Sequence, residues 1–487
     1  MFTKSLLGIG AAVLLAQPAI SAEVTSDGAN ALLDTFQRYV GKPAAGETGT
    51  VAVKVDGETY LVSFDLQKAA KPLETLGVKL DPAVISFHLT PQDDGTWRVG
   101  DATFPEQLQY ELPGQKTTYS AGGFKFEGIY DPKIATFTEA TVKLARYATE
   151  SVMANGSVSA EMADISNDNK ATTVADGVAT LHVKEMFGAF SEAFNLSAPP
   201  SASGASPITK QLSFTLKGRS GTGDIGLDAM HGQALLDLWA FFVAHPSQQQ
   251  IVDATSELKG LLSAAIPVFD KAEVGATLED VSIDTAVGSF VLKGLGFSFS
   301  GTGVTPQAHF GMNWQANGLV IPEQLVRPWQ KPFVPTEIVM GASVTGFDVA
   351  AGVREAIADF DPAKTPPISP EADAKIGAAF KQGGPIKVTV EPGRLVSELV
   401  EIDWSGDVTV TEPKPTVKLT VTAKGLDRAL DALQAAAATD QFAAQAIVGL
   451  ANAKRMGKAG ADGATSWLIE VDPDGKTTIN GTPVGAR

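Results

Sequence analysis

Two periods alternate along this chain, and they sort it into strands and helices. Thr50–Val55 and Thr59–Phe64 each place apolar side chains at every second residue, the period of a half-buried strand. Asp56-Gly57 lies between them and suits the positive φ angles of a tight hairpin turn. The same alternation predicts strands at Val84–Leu89, Thr96–Val99, Leu108–Leu112, Phe124–Tyr130 and Thr136–Leu144. Ser151–Met162 and Val178–Val183 read as another pair with a polar loop between them. Helical spacing comes first at Leu32, Leu33, Phe36, Tyr39 and Val40, behind Ser26 or Asp27 as a cap.

Three stretches repeat one design. Leu212–Leu216 runs on through Gly226-Leu227-Asp228 to Ala234, Leu235, Leu238 and Trp239. Glu337–Met340 leads through Gly346-Phe347-Asp348 to Ala350, Val353 and Ala356, and Val417–Val421 leads through Gly425-Leu426-Asp427 to Leu430 and Leu433. In each, a strand pattern meets Gly, an apolar residue and Asp, and a helical pattern follows. Glycine lets the strand end turn, and the carboxylates of Asp228, Asp348 and Asp427 are expected to cap the helices. Tyr60–Asp65, running into Leu66, Ala69 and Ala70, is a weaker fourth copy without the glycine.

Elsewhere, strands are expected at Ala276–Ile283, Ser289–Leu295, Phe297–Phe299, Ile386–Val390, Leu395–Trp404 and Asp407–Thr411. Thr439-Asp440 can open a helix, and Asp472-Pro473-Asp474-Gly475 is a turn between Trp467–Val471 and Lys476–Ile479. Strand mostly follows strand, with helices interrupting. That order predicts an α+β fold of long curved antiparallel sheets with interspersed amphipathic helices. Small, polar and proline-rich composition marks linkers at 196–207 and 361–370. They divide the expected chain into a strand-rich N-terminal domain (23–195), a central α+β domain (208–360) and a C-terminal α+β domain (371–487).

Residues 1–22 have a different character. Lys4, the apolar run from Leu6 to Leu15 and the small residues Ile20-Ser21-Ala22 read as a cleaved secretory signal, so the periplasm is the expected compartment. No later stretch is apolar over spanning length. The chain has 0 cysteines, which removes disulfides and thiol chemistry and leaves the core to hold the fold. A formal charge of -17, with both signs interspersed, disfavours nucleic acid and other polyanions as partners.

Motifs that imitate known chemistry fail on context. Gly221, Gly223 and Gly226 spell a dinucleotide fingerprint, but no parallel crossover follows, so they read as a glycine-rich turn at a helix start. Asp164, Ser166, Asp168 and Lys170 begin like a calcium loop, yet Asn169 and Ala175 stand at its glycine and glutamate positions. His88, His182, His231, His245 and His309 show no metal-ligand spacing, so neither a metal nor a cofactor is expected. There is no G-x-S-x-G elbow. Glu401 and Asp403 share a strand face and are the best acid pair for a hydrolase, though a solvated face explains them more simply. No catalytic residue is assigned. The aromatic side chains Phe297, Phe299, Phe310, Trp314 and Trp404 could line a ligand groove; Trp329 and Phe333 extend the set, and a filled core is the competing reading.

Gly425-Leu426-Asp427 before an amphipathic helix, Trp467-Leu468-Ile469-Glu470-Val471, Asp474-Gly475-Lys476 and Asn480-Gly481-Thr482-Pro483 together resemble the exported proteobacterial proteins grouped as domain of unknown function 2125. A more distant likeness is to the YdgA-like envelope proteins. The resemblance covers the second half of the chain and implies a periplasmic β-rich scaffold with no catalytic residues to carry over. The resulting expectation is a non-enzymatic envelope protein that binds an apolar or amphiphilic ligand, or a partner protein. The alternatives are a periplasmic hydrolase using carboxylates and an outer-membrane-associated structural protein.

Overall fold

A computed structural model describes residues 23–71, 74, 77–175, 177–197, 211–410 and 414–484. The expected signal at 1–22 lies outside the described residues, as does most of the expected linker at 196–207. The chain is a strand-rich α+β protein with long antiparallel sheet. It divides into two compact units, Met1–Ala272 with Val353–Lys375, and Glu273–Gly352 with Ile376–Arg487.

The first unit is a meander. Its strands are β1 (Val51–Asp56), β2 (Thr59–Asp65), β3 (Lys79–Leu80), β4 (Val84–Pro91), β5 (Trp97–Thr103), β6 (Gln107–Leu112), β7 (Gln115–Gly122), β8 (Lys125–Asp131), β9 (Thr136–Met153), β10 (Gly156–Ala175), β11 (Val178–Phe187), β12 (Phe190–Ser197), β13 (Gln211–Gly218) and β14 (Ser220–Met230). β7 and β8 both pair with β9 in one register, Gly122↔Arg146 and Lys125↔Lys143. β11 and β12 likewise share β10, with Ser166↔Met186 and Met162↔Phe190. β13 and β14 extend them, with Phe190↔Gly218 and Phe187↔Gly221. β9 and β10 run through, while the shorter strands beside them break in line at Gly123, Gly188 and Arg219, level with an unpaired Asp164 in β10. Gly123 (φ 66°) and Asp164 (φ 50°) adopt the left-handed backbone there. Breaks of this kind change the local twist and let a long sheet bend.

On one side of that line the sheet closes over helix α1 (Ser26–Val40). Leu32 and Phe36 bury against Tyr60, Val62, Leu89, Trp97 and Tyr130. Thr25, one residue before the expected caps, takes the cap bond from the Gly28 N–H at 3.0 Å. A Cβ at Gly28 would collide with the Tyr60 hydroxyl, so glycine permits the close approach of helix and sheet. The short helix α2 (Leu66–Ala70) is capped by Asp65, whose Oδ1 accepts from the Lys68 N–H at 3.1 Å. Helices α3 (Gly232–Ala244), α4 (Gln248–Asp253) and α5 (Thr255–Ala265) follow β14, split at His245-Pro246 as the sequence predicts.

Several expectations change here. Asp228 does not cap α3: it lies inside β14, the cap position is His231, and no side chain bonds there. The ladder of β14 with β11 holds the strand through Met230. For the same reason Gly221, Gly223 and Gly226 are strand residues rather than a turn. Asp164–Lys170, expected as a polar loop, is the middle of β10, and Asp168 accepts a bond from the Thr141 hydroxyl at 2.9 Å. The strands flanking the expected linker, β12 and β13, belong to one unit and pair directly from Phe190↔Gly218 to Ser197↔Gln211.

The second unit holds β15 (Lys271–Thr285), which starts at the junction, then β16 (Gly288–Thr302), β17 (Ala308–Asn317), β18 (Glu337–Phe347), β19 (Lys387–Val396), β20 (Glu401–Thr409), β21 (Thr416–Lys424), β22 (Lys458–Ala459), β23 (Thr465–Val471), β24 (Thr477–Ile479) and β25 (Thr482–Pro483). From β16 to β21 each strand pairs antiparallel with the next, and β21 pairs with β23. Leu395–Trp404 is not one strand: it turns at Ser397, whose backbone N–H and hydroxyl both bond to the Val400 carbonyl. Helices α6 (Val349–Asp359) and α7 (Pro370–Phe380) follow β18, and α8 (Leu426–Ala437) and α9 (Gln441–Met456) follow β21. Residues 371–487 thus form no separate domain, since β18 and β19 pair across the expected boundary.

Asp348 performs the expected cap, accepting from the Ala351 N–H at 2.7 Å. Asp427 does not. Gly425 (φ 82°) is the cap residue of α8, and Asp427 sits inside the first turn, paired with Lys454 of α9. Asp440 caps α9 as expected, accepting from the Phe442 N–H at 2.9 Å. Among the described residues no helix is long and apolar enough to cross a membrane.

Candidate functional site: an apolar sheet face

Antiparallel pairing sets opposite residues on the same face, so the second unit's registers define its two surfaces. Phe297↔Trp314↔Met340 is one row, and Phe299↔Met312↔Ala342↔Val390↔Gly406↔Leu419↔Ile469 is the next. Phe310↔Val344↔Val388↔Val408↔Val417↔Val471 and Leu295↔Ala316↔Ile338↔Leu395↔Ile402↔Ala423 flank them. The opposite face is mostly polar, carrying Ser298, Asn313, Ser343, Thr389, Asp407 and Lys418, with Val339, Val396 and Leu468 among them.

All five aromatic residues singled out in the sequence fall on the apolar face. Phe297 stacks on Trp314 with ring centroids 5.4 Å apart, and Phe310 lies between Phe299 at 6.3 Å and Phe347 at 5.6 Å. Trp404 lies flat over Gly393, where any Cβ would meet the indole ring. Helices cover only part of the face. Leu426 and Ala429 of α8 bury Val400 and Ala423, with Phe333, Ile402, Leu450 and Trp467 packed around them. Toward β16–β18 the face is open: Met312 is 51% exposed, Trp314 47%, Met340 46% and Phe299 37%. Met312 and Met340 were not singled out in the sequence, although Phe310, Met312, Trp314 and Ala316 alternate as strand residues on one side. Trp329 and Phe333 serve another purpose. The Trp329 indole donates to Asp440 at 3.0 Å, and Phe333 belongs to the covered core.

The first unit has a comparable face beyond its line of strand breaks. Tyr110↔Thr117↔Ser151↔Val158↔Phe194↔Phe214 and Leu112↔Gln115↔Met153↔Gly156↔Leu196↔Leu212 are neighbouring rows on it. Phe194 stacks on Phe214 at 4.5 Å, and Tyr119 lies 5.8 Å from Tyr110 and 6.2 Å from Tyr147. Burial, with Tyr110 nearby, pushes the Tyr147 hydroxyl up to about 12. This face is uneven: Thr117 and Tyr147 are buried, while Leu212 at its far end is 57% exposed.

The acid pair is accounted for differently. Glu401 sits on the polar face, 3.0 Å from Arg394 and 4.0 Å from Lys424, while Arg394 also reaches Glu337 at 4.0 Å. Glu401 is thus one member of a surface charge ladder along the strands. A cleft of about 540 Å³ in the first unit is lined by α1, α3 and α5, where Arg38 and Asp237 pair at 2.7 Å across its wall. No family model, no curated protein and no solved structure matches this chain.

Proposed function

We propose that this chain is a non-enzymatic periplasmic envelope protein that holds an apolar or amphiphilic ligand against the open apolar face of the second unit. The observation that carries the reading is the exposure of Phe299, Met312, Trp314 and Met340 as contiguous cross-strand neighbours. Soluble surfaces leave single apolar residues exposed, whereas large side chains gathered on one face mark a binding surface. Methionine beside aromatic rings also suits flexible acyl chains, because its thioether adapts to irregular apolar shapes. The secretory pattern at 1–22 and the resemblance to exported envelope proteins support the compartment.

Native mass spectrometry and lipid extraction of protein purified from the periplasm test this directly. Co-purifying lipid, or saturable uptake of a fluorescent fatty acyl probe, is the expected result. Protein that never carries lipid and shows no saturable uptake sinks the proposal.

A further inference from the structure

The apolar face of the second unit is bordered at the β15 end by the Asp284 carboxylate, which accepts from the Ser289 hydroxyl at 2.5 Å. At the in-facing positions of β16–β21 and β23, Lys293 is the only ionisable side chain among the described residues. It lies between Val291 and Leu295 on the same side of β16, in line with Phe297 and Phe299. Its stem is seated: Gly318 (φ 65°) stands opposite, and a Cβ there would strike the Lys293 methylenes. The missing side chain makes room for the lysine stem against the backbone. Among the described residues, the ammonium forms no ion pair or hydrogen bond.

We infer that Lys293 receives the head of the ligand, and that the ligand is a free fatty acid, a single-chain amphiphile ending in a carboxylate. This rests on the sheet-face reading above and names its ligand. Lys293 to Phe299 spans six residues, about 20 Å at roughly 3.4 Å per strand residue, close to the extended length of palmitate. One unpaired cation at one end of one apolar row matches a monoanionic head on one chain. The formal charge of -17 does not oppose this, because exposed charges farther than about 10 Å away are largely screened at 0.1 M salt.

The full chain is titrated with palmitate and with its neutral analogue hexadecanol, each displacing a fluorescent acyl probe. Wild type is expected to prefer palmitate by roughly tenfold, the scale of one charge-assisted hydrogen bond. Lys293→Met, which keeps an aliphatic stem, erases that preference; Lys293→Arg retains it; Lys293→Glu weakens palmitate while leaving hexadecanol unchanged. A Lys293→Met variant that still prefers palmitate overturns the inference and leaves the sheet-face reading standing. Failure of wild type to bind either ligand overturns both. Lys293-dependent binding to phosphatidylglycerol vesicles without palmitate binding overturns the choice of a free fatty acid. Unchanged melting curves confirm that the exposed substitutions leave the fold intact.

Discussion

At the scale of single residues, Asp348 and Asp427 share a local spelling but differ in role. Asp348 meets the Ala351 N–H, so Asp348→Ala should lower stability by about 0.5–2 kcal/mol while Asp348→Asn costs much less. Thermal melts of the two variants measure this, and equal losses would deny the cap. Asp427 follows a glycine whose left-handed backbone has already started the helix, and its exposed ion pair with Lys454 contributes little. Tyr130 presents the opposite case, a hydroxyl that is buried without a hydrogen-bond partner. Burial, reinforced by nearby Tyr39 and Asp131, raises its pKa well above that of an ordinary phenol. Tyr130→Phe removes an unsatisfied polar group and keeps the ring, so it should be neutral or stabilising by about 1 kcal/mol. Chemical denaturation decides, and a marked loss of stability would mean that the hydroxyl has a partner.

At the scale of elements, helix α9 depends on a charged cluster that the sequence shows only as scattered residues. Asp440 caps the helix, receives Arg327 at 2.6 Å and accepts from the Trp329 indole, while Arg327 stacks over Phe442 at 4.3 Å. Burial alone would raise the Asp440 pKa, but the bonds from Trp329 and Arg327 outweigh it and hold the carboxyl below its ordinary 3.8. A depressed carboxylate stabilises the fold fully above its unfolded value and loses that contribution as pH falls through the folded one. The gap in melting temperature between wild type and Asp440→Asn should therefore be widest near neutral pH and close below pH 3.8. A gap that widens on acidification would contradict the assignment.

For the whole molecule, the useful separation is between apolar residues that hold the fold and those that do not. Leu426 and Ala429 are buried and structural; Met312, Trp314 and Met340 are half exposed. Paired substitution of Trp314→Gln and Met340→Gln should weaken acyl-probe binding by about tenfold or more, since each loses apolar area worth roughly 25 cal/mol per Å². The same variant should shift the melting temperature little, because exposed sites lie outside the packed core. Loss of binding together with loss of folding would place these residues in the core instead.

What the sequence determined by itself was the local grammar. Alternating apolar residues become strands, Asp56-Gly57 and Asp472–Gly475 become turns, and Phe297, Phe299, Phe310, Trp314 and Trp404 share one face because strand periodicity is two. Tertiary structure decided which segments joined and which stayed open. Polar Asp164–Lys170 became strand because β9 and β11 supply hydrogen-bond partners on both edges, a contribution no local pattern records. Residues 196–207 looked like a linker between domains by composition, yet the flanking strands β12 and β13 pair with each other. The apolar face was legible in the sequence as a set of residues. Its division into core and open surface depended on where α8 and α9 pack, which is a matter of three-dimensional coverage rather than of residue type.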